Sequence, residues 1–432
     1  MPIDCKFKNS GVYKLLAWLF VNNDNRLFQR SKILKLLDKI TNTKLSLACL
    51  SLSVICLWYE GFFADIGFHA IENYNLGAVF LILSLIFCNK QRIRSTRAVI
   101  YLLLFILSLL ISGLYAAITG LEAGMIINGI LVLSQFAIAF ITASTYLSKI
   151  TFVNMILIVS LPLLIVGIFQ GFWGETTSRL WVSETENLVS TRAFGFFGSP
   201  NVLGSLSMIT AIMALFTFLG RKKWYYLAYE LLALAVLTLT FSRSAWLGLA
   251  VGVATILLIR NWKLLLLTPL GLLVLLIPSI RQRLLVITSR NYLVDAAIDG
   301  RIWSLTNAIE IFRISPIFGT GPGSYGGQTA VYYNSPIYLK SIQNGYVTLP
   351  YTDNQWLQIL VQSGVVGTVC VAGFFISLFV NNLKRYMSSK HYMNLGVIAV
   401  LVAIAVNGLM SNVWEFGAIA VLSGAYLGLG NI

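Results

Sequence analysis

Long apolar runs separated by short polar linkers recur along almost the whole chain. A helix needs roughly 20 predominantly apolar residues to cross the hydrocarbon core of a bilayer. We therefore place membrane spans at residues 43–59, 74–88, 98–118, 124–147, 151–170, 201–219, 224–241, 243–259, 264–280, 355–381, 394–411 and 415–430. The pattern predicts an all-α polytopic membrane protein with about twelve transmembrane helices and a large external loop containing short helices.

The composition agrees with a membrane protein. Of the 432 residues, 57% are hydrophobic and 11% are charged, which is far outside the usual composition of a soluble domain. The five cysteines show no C-x-x-C spacing, and the two histidines, His69 and His391, lie far apart in the sequence. These residues predict neither disulfides nor a metal centre, so we expect no metal and no cofactor.

Basic linkers set the predicted orientation. With a cytoplasmic N-terminus, the linkers "NKQRIRSTR", "RKK", "RNWK" and "NNLKRYMSSKH" all face the cytoplasm, as the positive-inside rule expects. Membrane topology then accounts for the net charge of +15, and we expect no nucleic-acid partner.

This topology divides the chain into four regions. They are a cytoplasmic amphipathic segment at 1–42, nine spans within 43–280 with an external loop at 171–200, a large external loop at 281–352, and three spans within 353–432. A short span at 11–22 is the alternative for the N-terminal segment. The length of the 281–352 loop indicates a functional role, because loops of that size are commonly functional.

The predicted external face carries arginine almost without lysine. It holds eight arginines and only Lys340, whereas the cytoplasmic side holds 14 lysines and eight arginines. The external set is Arg179, Arg192, Arg243, Arg281, Arg283, Arg290, Arg301 and Arg313. Because a guanidinium binds phosphate with two parallel hydrogen bonds, the set predicts a site for phosphate or another oxyanion. The alternative is that these arginines cap helices or pair with external acids such as Asp295, Asp299 and Glu310.

Two of these arginines lie where apolar runs begin or end. Arg243, in "LTFSRSAWLGLA", stands where one span meets the next, and an arginine at that depth requires a polar cavity or a partner. It either contacts a ligand or forms a structural ion pair. Arg192, in "STRAFGFFGSPNVLGSLS", either joins a phosphate-binding cluster or anchors its loop.

The stretch "IDGRIWSLTNAIEIFRISPIFGTGPGSYGGQ" joins a predicted amphipathic helix to a glycine-rich turn. The helix presents Arg301 to the same external cavity, or else Arg301 reaches the lipid headgroups. Gly321 and Gly323 permit close approach of a ligand or of another chain segment. We count both glycines and Tyr325 among the candidate substrate-binding residues.

The stretch "LPYTDNQWLQILVQSGVVG" places an acid and two amides at the entrance of an apolar run. Asp353 is a candidate general base, or only a helix cap, since helix N-termini favour acids. Asn354 is a candidate substrate ligand, or joins helices together with Gln355. Glu415, in "SNVWEFG", is the rival base.

The order of these motifs resembles the bacterial O-antigen ligase and Wzy-type polymerase superfamily, most strongly over residues 190–370. The resemblance implies a metal-independent glycosyltransferase in the bacterial inner (cytoplasmic) membrane, with its active site on the periplasmic side. It implies an undecaprenyl diphosphate-linked oligosaccharide as donor and a hydroxyl of a glycan, lipid or protein as acceptor. Arg243 and Arg301 match the arginines that hold the diphosphate in that scheme.

One position departs from the family. The ligases typically carry a histidine where this chain has Asp353, so a histidine mechanism does not carry over. We therefore expect Asp353, Arg301 and Arg243 as catalytic residues and Arg192, Asn354, Gly321, Gly323 and Tyr325 as substrate-binding residues. The departure favours polymerase-like glycan transfer over ligation to the lipid A core. A transporter or flippase, with Glu230 inside a span, and a non-catalytic scaffold are the competing classes.

Overall fold

The structure, a computed structural model, describes residues 41–59, 70–89, 93, 96–146, 148–174, 191–261, 263, 281, 285, 294, 301–337 and 352–431. The predicted N-terminal segment, the span at 264–280 and the greater part of the 171–200 loop lie outside these residues. So do parts of the 281–352 loop.

The described residues form thirteen α-helices and contain no β-strand. They are α1 (Thr43–Trp58), α2 (Ala70–Phe87), α3 (Arg97–Ile118), α4 (Ala123–Ala143), α5 (Lys149–Trp173), α6 (Pro200–Arg221), α7 (Trp224–Leu239), α8 (Arg243–Asn261), α9 (Arg301–Phe312), α10 (Gln328–Tyr332), α11 (Gln355–Ser389), α12 (Tyr392–Asn407) and α13 (Gly417–Leu429). The predicted all-α class is confirmed, and α9 and α10 are the short helices expected in the large loop.

Every predicted span that falls on described residues coincides with an apolar helix. Six helices are long and apolar enough to cross a membrane, namely α3, α4, α5, α6, α8 and α11. The apolar helices α1, α7, α12 and α13, and the apolar part of α2, are shorter. The chain is therefore a multi-pass membrane protein, and a total of about twelve spans stays a prediction.

Polar residues at the ends of the apolar runs fix where the helices begin and end. Asn42 and Thr96 accept hydrogen bonds from the backbone amides of Leu45 and Val99, at 3.1 and 3.3 Å, and so cap α1 and α3. At the other end of α5, Gly174 takes a left-handed conformation with φ of 75°. Hydropathy gives the lengths of the helices, and these caps set their limits.

Side-chain contacts link the basic linkers at one end of the bundle. Thr96 Oγ1 donates to Asn431 Oδ1 at 2.6 Å, and Arg385 Nη1 donates to the carbonyl of Gly430 at 2.7 Å. These contacts join the start of α3, the second half of α11 and the end of α13. Because successive helices alternate in direction, the loops after α3, α7 and α12 lie at the opposite end, which we call the site end.

Helix α11 is broken inside the membrane-spanning region. At Gly364 the backbone has φ of 65° and ψ of −168°, so two helical halves meet at this residue. The groups freed by the break bond to the segment that follows α9. The amide of Val365 donates to the carbonyl of Pro316 at 2.9 Å, and the amide of Thr320 donates to the carbonyl of Val361 at 2.8 Å. Irregular backbone at this depth is stable because it is paired with protein.

The glycine-rich turn lies between helices instead of on the surface. Ser112 on α3 donates to the carbonyl of Gln362 at 2.7 Å, and Gly129 on α4 lies directly against Pro322 and Gly323. Ser112 is six residues from the end of α3, which corresponds to about 9 Å along the axis. Residues 315–327, predicted as part of an external loop, are therefore a re-entrant segment among α3, α4 and α11.

We expect Gly364→Ala to lower the stability of the protein more than Gly198→Ala. Both glycines have nearly the same φ, 65° and 64°, but a Cβ at Gly364 would overlap the carbonyl of Ile317, whereas one at Gly198 meets nothing within 4 Å. The backbone angles of Gly364, φ of 65° and ψ of −168°, are essentially restricted to glycine, and this strain costs about 1 to 3 kcal/mol before the overlap is counted.

Apparent melting temperatures of the two purified variants in the same detergent provide the measurement. Gly198→Ala is the control for a positive φ without steric overlap. Equal melting temperatures for the two variants would contradict the structural role given to the break.

Candidate active site

The stretch before α11 is fastened to the loop after α12. Asn354 Oδ1 accepts from the amides of Trp356 and Leu357, at 3.0 and 3.1 Å, and Asn354 Nδ2 donates to the carbonyl of Leu409 at 3.1 Å. The amide of Gln355 donates to the carbonyl of Gly408 at 2.8 Å. The start of α11 is therefore held at a fixed position relative to α12.

The cap of α11 is Asn354 and not Asp353, so the capping alternative for Asp353 is wrong. Asp353 lies one residue before the cap, in a left-handed conformation with φ of 46°, and is half-buried. Aspartate tolerates this conformation better than most residues. The side chain of Asn354 performs the capping expected of a polar residue here, which leaves the Asp353 carboxylate outside that role.

Arg243 begins α8 at the same end of the bundle. Gly248 on α8 lies against Ala403 and Asn407 of α12, and Gly252 lies against Ala399. The two helices therefore run antiparallel, and the first turn of α8 lies beside the end of α12. That end carries the carbonyls to which Asn354 and Gln355 bind, so Arg243 and Asp353 belong to the same end of the protein.

Arg192 supports the turn that precedes Arg243. Its side chain is 4% exposed, Nε donates to the carbonyl of Thr240 at 2.9 Å, and Nη2 donates to Asn201 Oδ1 at 3.2 Å. The first bond satisfies a carbonyl at the end of α7, and the second holds the first turn of α6. These contacts match the loop-anchoring alternative, and a direct substrate contact by Arg192 stays a prediction.

The first turn of α9, which begins at Arg301, is tied to the Asp353 stretch. Ser304 Oγ donates to the carbonyl of Thr352 at 3.1 Å, and Tyr325 Oη donates to the carbonyl of Ser304 at 3.2 Å. Tyr325 is 1% exposed, and burial raises the pKa of its phenol. The structure thus brings the Arg301 turn next to Asp353. Tyr325 stabilises this arrangement through its hydrogen bond to Ser304.

Gly321 and Gly323 allow the glycine-rich turn to pack closely against neighbouring helices. Gly321 has φ of 108°, its amide donates to the carbonyl of Gln362 at 3.2 Å, and a Cβ there would overlap Ala116. The amide of Gly323 donates to Gln362 Oε1 at 3.0 Å. Of the two alternatives for these glycines, the structure supports approach of another chain segment. A ligand role for them stays a prediction.

A buried carboxylate lies beneath this surface. Glu415 is 6% exposed, Oε1 accepts from the amide of Gln328 at 2.7 Å, and Oε2 accepts from Gln358 Nε2 at 2.6 Å. Burial raises its pKa, while the bonds from Gln358 and from the amides of Gln328 and Thr329 lower it in part. Because both oxygens are occupied and enclosed, the rival base of the sequence analysis acts as an anchor for the start of α10.

Three glutamines extend this anchor along α11. Gln355, Gln358 and Gln362 are at most 2% exposed and lie three and four residues apart, which places them on one face of the helix. Gln355 Oε1 accepts from the amide of Trp414 at 2.7 Å, and its Nε2 donates to Gln358 Oε1 at 3.1 Å. We call the chain from Trp414 through Gln355 and Gln358 to Glu415 the amide relay.

Neither Gln358 nor Gln362 was among the residues expected from sequence. The signal that exists is their spacing in "QWLQILVQ", where buried polar residues repeat at helical intervals in an apolar run. Gln362 Nε2 donates to the carbonyl of Tyr325, and Asn412 Nδ2 donates to the carbonyl of Gly326. Polar side chains of α11 and of the loop after α12 therefore hold the glycine-rich segment in place.

A narrow recess beside the relay is lined by Gly129, Val132, Leu133, Gly323, Gly327, Thr329, Gln362 and Glu415, and it has no room for a molecule of the size of water. Ligand pockets measure about 300 to 1,000 Å³. The recess is therefore a feature of packing and not a ligand pocket.

The described residues thus form a multi-pass, all-helical membrane protein whose polar side chains converge at the end opposite its basic linkers. A family model described as O-antigen ligase matches residues 228–372, which confirms the resemblance to the O-antigen ligase superfamily over this region. The match includes Arg243, Arg301 and Asp353 but neither Arg192 nor Glu415. It supports a ligase-like or polymerase-like role in joining glycans at a membrane. No curated protein sequence matches the chain.

In the amide relay, every hydrogen bond runs from Trp414 towards Glu415, and reversing this order of donors and acceptors is a test of the relay. In Glu415→Gln, the relay has a hydrogen-bond donor at each end, namely the amide of Trp414 and the new Nε2 of residue 415. The two glutamines between these donors cannot supply an acceptor to both, so in every orientation of their amide groups one buried donor has no partner. In Gln358→Glu, two carboxylates become neighbours. We expect each single change to cost about 1 to 3 kcal/mol of folding free energy.

The double variant Glu415→Gln with Gln358→Glu restores a partner for every donor, so it should recover most of the lost stability. Melting temperatures of the wild type, both single variants and the double variant form a double-mutant cycle. Additive losses in the double variant would show that the relay does not exist.

Proposed function

We propose that this protein is a metal-independent glycosyltransferase that moves a glycan from an undecaprenyl diphosphate carrier to an acceptor hydroxyl. The reaction takes place on the external face of a bacterial inner membrane, in polymerisation or ligation of a cell-surface polysaccharide. The observation that carries the proposal is the family match over residues 228–372, within which Arg243, Asp353 and the Arg301 turn lie at one end of the bundle.

The proposed chemistry is one displacement at the anomeric carbon. The acceptor oxygen forms a bond to this carbon while the bond from the carbon to the phosphate oxygen breaks, and the diphosphate leaves with the bonding electrons. Asp353 takes or guides the proton of the acceptor hydroxyl. A single displacement inverts the configuration of the anomeric carbon.

Arg243 and Arg301 stabilise the charge that grows on the departing diphosphate. Their guanidinium groups suit two oxygens of one phosphate at once, which an ammonium group does not. Asn354, Arg192, Gly321, Gly323 and Tyr325 complete the proposed substrate-binding set. The buried contacts of Arg192 and Tyr325 hold the turn before Arg243 and the turn of Arg301, so the contribution we propose for these two residues includes positioning of the arginines.

Asp353 is preferred over Glu415 as the base because of access. Asp353 is half-buried, whereas Glu415 is 6% exposed and both its oxygens accept hydrogen bonds inside the protein. A carboxylate that already accepts from two enclosed donors is poorly placed to take a proton from an acceptor hydroxyl.

The first experiment is reconstitution of the glycosyl-transfer activity. Purified protein in lipid vesicles receives an undecaprenyl diphosphate-linked oligosaccharide, and the glycan products are separated on a gel. A ladder of repeats identifies a polymerase, and a single product that requires an added acceptor identifies a ligase. Absence of product with every donor class tested would contradict the proposal.

We expect Asp353→Asn to lower kcat by about a hundredfold to ten-thousandfold, because a positioned general base contributes this much. The change keeps the size of the side chain and removes its basicity. Initial rates of glycan transfer in vesicles measure the effect. Full activity of this variant would contradict the base role and leave Asp353 at most an orienting residue.

Arg243→Lys and Arg301→Lys should each lower the transfer rate at least tenfold, because a lysine keeps the charge and loses the bidentate geometry. Arg313→Lys is the matched control, since Arg313 is exposed at the end of α9 and lies outside the proposed site. Unimpaired transfer by both site variants would exclude two-point recognition of the diphosphate by these arginines.

The alternative is a transporter or flippase for an anion or a lipid-linked substrate. The observation that favours it is Glu230 on α7, because its Oε2 atom is buried without a hydrogen-bond partner among the described residues. Glu230→Gln should abolish movement of substrate across the membrane if the protein is a transporter, and should leave glycan transfer largely intact if it is a transferase. Paired transport and transfer assays on this one variant separate the two classes.

A further inference from the structure

Helix α9, which leads into the re-entrant segment 315–327, carries an exposed apolar stripe. Ile302, Leu305 and Ile309 are 45%, 44% and 43% exposed. Positions three and four residues apart lie on one side of a helix, so the three side chains form a continuous stripe. The opposite side of α9 is buried against the protein through Ala308 and Ile311.

The exposed half of α9 is divided between apolar and polar residues. Thr306 and Glu310, together with Arg313 just after the end of α9, are exposed and form a second stripe beside the apolar one, at the same spacing. If the exposed side of a helix faces water, polar residues are expected over the whole of that side. A division into apolar and polar stripes is typical of helices that lie along a membrane interface.

The apolar stripe continues into the corner that follows α9, residues 314–318. Ile314, Ile317 and Phe318 are 67%, 59% and 41% exposed. The carbonyls of Pro316 and Ile317 accept from the amides of Val365 and Val366, at 2.9 and 3.4 Å, so the corner is fixed directly to the break in α11.

The corner joins a surface that faces lipid. Val365, Val366 and Val369 are 47%, 39% and 57% exposed, and they belong to a helix long and apolar enough to span the membrane. Val366 is eleven residues after the start of the 35-residue helix α11, so the corner meets α11 in its first half, on the side of the site end. An exposed apolar corner beside these exposed valines is adjacent to acyl chains.

We propose that α9 and the corner 314–318 lie in the leaflet opposite the basic linkers, with Ile302, Leu305, Ile309, Ile314, Ile317 and Phe318 against its acyl chains. The polar stripe of α9 faces the headgroups and water, where Arg313 meets lipid phosphate. The occupant of this apolar surface is the bilayer itself. Neither a partner protein nor the lipid tail of a donor is required.

Site-directed spin labelling tests this placement. Single cysteines replace Leu305, Ile309 or Ile317 in a protein whose native cysteines have been exchanged for alanine, and each carries a nitroxide label. The protein is reconstituted in vesicles of phosphatidylethanolamine and phosphatidylglycerol without donor or acceptor. Collision rates with oxygen, which concentrates in acyl chains, and with a water-soluble nickel chelate are measured by power saturation.

We expect labels at Leu305, Ile309 and Ile317 to show an oxygen-to-nickel ratio several-fold above that of labels at Thr306 and Glu310. The latter two are matched controls, since they are exposed on the same helix and differ only in the stripe they occupy. Circular dichroism and gel filtration confirm that each labelled protein is folded.

Two results would overturn the proposal. A high nickel rate at all five positions would show that α9 lies in water, and low rates for both reagents at the apolar positions would show that protein covers the stripe. The measurement requires no reaction, so its outcome is independent of the proposed glycosyl transfer.

Discussion

The break at Gly364 is the constraint on which the site end depends. A helix interrupted inside hydrocarbon frees backbone groups that cost several kcal/mol each when they have no partner. Here the carbonyls of Val361 and Gln362 and the amides of Val365 and Val366 bond to residues 316–321. The interruption therefore requires the re-entrant segment, and the re-entrant segment requires the interruption. The position of α9 and of the glycine-rich turn follows from this mutual pairing.

Two layers of polar residues are built on that pairing. The lower layer is the amide relay with Glu415, which is buried and complete in its hydrogen bonds. The upper layer is the surface with Asp353, the start of α8 and the first turn of α9. A buried carboxylate with both oxygens bonded stabilises a position, whereas a half-buried carboxylate is accessible to a second molecule. The two acids, Asp353 and Glu415, therefore differ in burial, which is the ground on which we propose different roles for them.

Much of the fold could be predicted from the sequence because hydropathy alone locates apolar helices, and the spans at 98–118 and 201–219 differ from α3 and α6 by two residues or fewer at each end. The break at Gly364 could not be predicted from the sequence, because hydropathy predicts a continuous apolar helix over "QSGVVGTV" and a positive φ leaves no hydropathy signal. The choice between Asp353 and Asn354 as cap was equally hidden, since both residue types favour that position. It depends on the carbonyl of Leu409, which is 55 residues away in the chain.

The placement proposed for α9 has a consequence for the chemistry at its first turn. The helix holds Arg301 and Ser304 at its start, and Ser304 bonds to the residue before Asp353. If the apolar stripe lies among acyl chains, this turn and Asp353 lie near the level of the headgroup phosphates. A diphosphate attached to a lipid has its charged groups at that same level. In the proposed reaction, arginines at that level would contact the diphosphate while the apolar tail stays in the bilayer, so the reaction would not require the energetic cost of extracting a long apolar tail.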